Sequence, residues 1–173
     1  MKLALCNEVL AHLPLERQCE LAAALGYDGL EIAPFTLGDA PHRLAASEIA
    51  RVRKTVESFG LAVTGLHWLL VAPPGLSVTD PDARIRARTR EVVAQLIALC
   101  AELGGNVLVH GSPKQRRIAP GEDHATALAR LRDFLAAAAR VAEAHGVVYC
   151  NEPLGRAETA LVNTVAEAAA LVR

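Results

Sequence analysis

The chain has 173 residues, a length that favours one domain and allows a sizeable core. Hydrophobic residues make up 52% and aromatics only 3%, so alanine, leucine and valine must fill that core. A formal net charge of −1 excludes a bulk basic field for nucleic acid or an anionic membrane, and no apolar run approaches the ~18 residues of a membrane span.

Taken in chain order, two periodicities alternate. The opening MKLALCNEVL is interrupted by Asn7 and Glu8 and does not read as a signal peptide. Apolar runs at 3–6, 29–33, 61–70, 107–109 and 147–150 read as strands covered on both faces. Helical spacing fills 15–25, 47–59, 82–103 and 125–145, and a fifth helix begins over 163–173. Gly26, Gly60, Gly104 and Gly146 each follow a helical stretch, where a left-handed residue is wanted. Ser47 is expected as one N-cap, and Asp80 as another with Pro81 in the first helical position. Cys6, Cys19, Cys100 and Cys150 are far apart and form no CxxC pair, which suits buried, reduced thiols in a cytoplasmic protein.

Such alternation predicts parallel strands with right-handed crossovers. A doubly wound sheet would place a glycine-rich phosphate loop after the first strand, and CNEVLAHLP has none. Polar residues instead end every strand: Asn7 and Glu8, Glu31, His67, His110, and Asn151 with Glu152. In a barrel those ends share one mouth, so the expected fold is α/β, of the (β/α)8 TIM-barrel type. The steps between strand ends are 24, 36, 43 and 42 residues. At that pace the chain holds only about the first five β/α units of eight, read as a single domain over 1–173 with strands six to eight absent. A fragment of a longer protein is the expectation.

Glu152, in NEPLGRAET, ends a buried apolar strand, where a carboxylate is costly unless it binds a metal or pairs with an arginine of a neighbouring strand. The residues leave both readings open. His67 and His110 could bind metal, move protons or meet a sugar hydroxyl, or could be ordinary hydrogen-bonded strand-end histidines. Trp68 suits stacking on a sugar or plain packing. His12, His42, His124 and His145 are read as surface residues. Lys114, Arg116 and Arg117 form either an anion-binding loop or, more commonly, a solvated one. GxGxxG, P-loop, GxSxG and HExxH patterns are missing.

Four segments together, ALGYDGLEIAP, FGLAVTGLHWLL, LGGNVLVHGSPKQR and CNEPLGRAETALVNTVAEAAALV, resemble the xylose isomerase-like TIM-barrel superfamily. Its members include sugar phosphate isomerases/epimerases, ketose 3-epimerases, hydroxypyruvate isomerases and endonuclease IV. The EPLxRxET…NT pattern is the most specific part and points to the epimerase branch. The resemblance implies that Glu152 is a metal-binding, proton-transferring carboxylate and that Glu158 contacts substrate hydroxyls. It also implies that His67, His110 and Glu31 line the mouth, as substrate contacts in the epimerases; both histidines are metal ligands in endonuclease IV. Lys114 is an expected contact for an anionic substrate group. The family's other ligands, from strands six to eight, have no positions in this sequence.

The expected activity is therefore metal-dependent isomerisation or epimerisation of a ketose or hydroxy-ketone, carbohydrate or carbohydrate phosphate, through an enediolate. Mn, Mg or Co is the expected ion, and the 173 residues alone are expected to be inactive. The alternatives are an endonuclease IV-like zinc phosphodiesterase and a non-catalytic half-barrel that self-associates through open strand edges. The expected partners are a small sugar or sugar phosphate and further copies of the chain, with no membrane and no nucleic acid.

Overall fold

The computed structural model describes residues 1–172. Five parallel strands lie in one sheet in the order in which they occur in the chain: β1 (Ala4–Cys6), β2 (Gly29–Ile32), β3 (Ala62–Leu66), β4 (Val107–His110) and β5 (Val148–Asn151). The helices between them are α1 (Leu15–Ala24), α2 (Ala46–Ser58), α3 (Ala83–Glu102) and α4 (His124–Ala144), and α5 (Val165–Leu171) follows β5. Sequential parallel pairing with right-handed crossovers puts all the crossover helices on one face. This is the α/β, TIM-barrel-like architecture expected from the sequence, present as five strands.

Burial follows strand parity. Leu30, Ile32, Leu66 and Leu108 are completely buried against the helices, on Cys19, Val52, Val56, Leu96, Leu131 and Phe134 among others. Successive strand residues point to opposite faces. The register aligns Cys6 with Glu31, Glu31 with Gly65, and Gly65 with Val107. Cys6, Glu31, Gly65, Val107, Val109 and Cys150 therefore share the inner face, away from the helices.

A register shift between Leu30 and Glu31 sets Glu31 opposite Gly65, so His67, two residues further on, joins this face. Glycine is required at 65, where a Cβ would overlap the Val107 carbonyl of the neighbouring strand.

Gly26, Gly60, Gly104 and Gly146 adopt φ values of 81°, 74°, 87° and 67°, as helix ends require. The N-caps differ from expectation. Ala45, with no side-chain cap bond, precedes α2, so Ser47 lies inside the helix. Asp82 rather than Asp80 caps α3, accepting a hydrogen bond from the Arg84 N–H, because Asp80 is engaged by the Asp82 N–H. The third strand stops at Leu66, short of the expected residue 70, because Trp68 takes φ 55° and turns the chain. The fifth helix starts at Val165 behind a capping box of Thr164 and Glu167; Arg173 lies outside the described residues.

His42 is half-buried rather than on the surface. All four thiols are free, with Cys19 and Cys100 buried and Cys6 and Cys150 only partly so. No helix among the described residues is long and apolar enough to cross a membrane.

Gly65→Ala should destabilise the chain by about 1–3 kcal/mol or more through overpacking between β3 and β4. Urea denaturation of wild type and variant measures it, and an unchanged midpoint would show that the strands can separate without cost.

Candidate functional site

The C-terminal strand ends form a mouth on the inner face. His67 stands at its centre. Its Nδ1 lies 3.3 Å from Glu31 Oε2 and its Nε2 lies 3.3 Å from Glu152 Oε2. Hydrogen bonding to the Cys6 thiol, then to Glu31, pushes the imidazole up to about 10; burial opposes this, and the charge of Glu31 and a hydrogen bond to Glu152 add to it. At neutral pH His67 is an imidazolium clamped between two carboxylates.

That clamp spans from β3 to β5, over the intervening β4. What lies beneath is Gly111, one residue past the end of β4. A Cβ there would overlap Glu152 Oε2 and sit 3.4 Å from His67 Nε2. The absence of a side chain at 111 is what lets histidine and glutamate meet.

A cleft of about 270 Å³ opens beside this pair, and its walls include His67, Trp68, Gly111, Ser112, Glu152 and Glu158. Glu158 is exposed and accepts a hydrogen bond from the Gly155 N–H at 3.1 Å. Trp68 stacks on His67 with ring centroids 6.0 Å apart, and it also walls an adjoining cleft of about 430 Å³ that carries Glu8 and Lys114. Lys114 is exposed there.

The other expected mouth residues sit elsewhere. Asn7 is structural: its amide donates to Gln18 Oε1 and Thr36 Oγ1, and its carbonyl accepts from the Ala33 N–H. His110 shares the parity of Leu108 and faces the helix layer. It is completely buried, packs against Phe134 and Tyr149, and its Nδ1 lies 2.9 Å from the Tyr149 hydroxyl. Burial, with Arg116 adding, pulls it down to about 3, so it is neutral.

Arg116 is likewise fully buried rather than solvated; Nη1 donates to Asn151 Oδ1 at 3.2 Å, while Nε and Nη2 have no partner among the described residues. Burial lowers its guanidinium, opposed by the charges of Glu152 and Glu158. Arg117 is exposed.

Sequence reasoning passed over Cys6 and Gly111. The thiol, the Glu31 carboxylate and the His67 imidazole place one ligand atom each within 4.8 Å of one another. The parity shared by Cys6 and Glu31 was the available signal for the first; for Gly111 it was a glycine immediately after a strand-end histidine.

The chain matches the family model for the xylose isomerase-like TIM barrel over residues 19–173. It belongs to that family.

Solved structures of the same fold include a D-psicose 3-epimerase determined in the presence of D-fructose, with TM-score 0.81 and 23% identity over 99% of this chain and 59% of that one. A D-psicose 3-epimerase with D-tagatose from Clostridium cellulolyticum H10 gives TM-score 0.81 and 24% identity, with the same 99% and 59% coverage. A 3-keto-D-glucoside 4-epimerase from E. coli gives 0.76 and 22%, covering 99% and 63%. The chain thus spans about six-tenths of the length of these solved structures. No curated protein matches it.

Two outcomes follow from this geometry. His110 has an ordinary value of 6.5 and a folded value of about 3. A depressed histidine contributes stability that is present above its unfolded value and lost as pH falls through 6.5 towards 3. The urea midpoint should therefore drop less between pH 7 and pH 5 in His110→Gln than in wild type; equal drops would show that His110 is not buried neutral.

Gly111→Ala should separate Glu152 from His67 while leaving the fold intact. The check is the His67 imidazole signal in NMR, which should move while circular dichroism stays constant.

Proposed function

We propose that this chain carries the β1–β5 part of the active site of a metal-dependent isomerase or epimerase of sugars or sugar phosphates. The observation that supports the reading best is the position of Glu152, just past β5 on the inner face, held by His67 and sharing a cleft with Glu158. A partly exposed carboxylate there can take a proton from the carbon beside a ketose carbonyl. The enediolate that results is negative, and the His67 imidazolium beside Glu152 offers a compensating charge. Glu158 and Glu31 accept hydrogen bonds from hydroxyl groups. Trp68 offers a ring face to the apolar side of a sugar, and Lys114 in the adjoining cleft suits a phosphate. Inversion needs a second carboxylate on the opposite face of the substrate to return the proton.

A divalent ion of the Mn, Mg or Co type supplies Lewis-acid polarisation of the carbonyl when bound. Glu152 is the residue that would hold it, and its hard oxygen donors suit such ions. Among the described residues no group of three ligands gathers around Glu152, so Glu152 by itself should hold the ion weakly and the chain should turn nothing over. An endonuclease IV-like zinc site would need His110 beside His67 and Glu152, and the burial of His110 on the helix side of the sheet counts against it.

Trp68 is the sole tryptophan, so its fluorescence reports on the mouth. Ketohexoses should change it saturably, with weaker binding in Glu158→Gln and Glu152→Gln, while the chain with Mn²⁺, Mg²⁺ or Co²⁺ forms no epimer. Fluorescence indifferent to every ketose would remove the carbohydrate reading. Epimer formation by the purified chain would overturn the proposed dependence on a second carboxylate.

A further inference from the structure

We propose that Cys6, Glu31 and His67 form a binding site for a thiophilic divalent cation such as zinc, separate from the position expected for the ion at Glu152. The three residues come from the ends of β1, β2 and β3, and the strand register aims them at one point: Cys6 is the direct partner of Glu31, and the shift after Leu30 brings His67 onto the same face. Their ligand atoms lie within 4.8 Å of one another. Ligand atoms about 2.0–2.3 Å from a tetrahedral zinc stand about 3.3–3.8 Å apart. The 3.3 Å between His67 Nδ1 and Glu31 Oε2 already meets that spacing, and a small side-chain closure brings in the rest.

The donor set selects the ion. One thiolate, one imidazole and one carboxylate favour zinc or cobalt over magnesium or calcium, which take oxygen ligands. All three residues are partly buried, so ligand motion is restricted while a fourth position stays open to water.

The two ring nitrogens of His67 keep the sites apart, since Nδ1 lies beside Glu31 of the cluster and Nε2 beside Glu152. A cation at Nδ1 stands beside Glu31 and places its positive charge between the carboxylates. It also leaves Nε2–H as a donor to Glu152, the arrangement by which a metal-bound histidine orients an outer carboxylate.

Cobalt is the probe, because a Co²⁺–thiolate bond gives a charge-transfer absorption in the near ultraviolet that oxygen ligands do not. Titration of the purified 173-residue chain with CoCl₂ should raise that band to saturation at one equivalent, and ZnCl₂ should bleach it. Cys6→Ser should abolish the band. Glu31→Gln should weaken cobalt binding by at least the 10–100-fold typical of losing even an outer partner, roughly. Glu152→Gln and Cys150→Ser should leave the band intact, which separates this site from the one at Glu152. Circular dichroism of each variant shows whether it folds, and Glu31→Gln carries the test if Cys6→Ser does not. No band in wild type, a band that survives Cys6→Ser, or a band lost in Cys150→Ser would each overturn the proposal.

Discussion

One imidazole holds two carboxylates in the mouth of this sheet. His67 reaches Glu31 with one ring nitrogen and Glu152 with the other, joining residues 36 and 85 positions away. Each carboxylate alone would be expensive at a partly buried strand end. Together with a protonated histidine they become a neutralising network that reaches across four strands, from β2 to β5. The register shift in β2 and β3, the left-handed turn at Trp68 and the missing side chain at Gly111 all serve that one placement.

The fold was largely legible because its signals are local. Consecutive Val, Ile and Leu in the strands, the three-and-four spacing of Val52, Val56 and Phe59, and glycines at helix ends all report their own conformation. The strand order followed from the crossover rule. Errors occurred where a competing contact decided. Asp80 and Asp82 are both good caps, and only the tertiary path settles which one faces the first turn of α3. The apolar run of the third strand continues past its end at Leu66, because Leu69 and Leu70 are completely buried, yet in a turn.

The site was legible as a set of strand ends but not as a geometry. Glu31, His67, Glu152 and Glu158 do gather at one mouth. His110 does not join them, and its parity explains this: two residues from the buried Leu108, it must point towards α4 and packs on Phe134. Counting in twos from the most apolar strand residue would have separated the two histidines. Arg116 offered no such signal. Nothing in HGSPKQRR distinguishes a guanidinium bonded to Asn151 beneath the mouth from one in water, since residues from distant segments cover it; Thr159, whose hydroxyl meets the Arg116 carbonyl, is one of them.

That buried guanidinium also bears on the charge of the mouth. The acidic groups of the mouth meet a second cation besides His67. Arg116 places a guanidinium under the floor of the mouth, bonded to Asn151 of β5; burial lowers it, and the charges of Glu152 and Glu158 oppose that lowering. The acidic mouth is therefore compensated from two sides, by His67 within it and by a guanidinium that belongs to the scaffold beneath it.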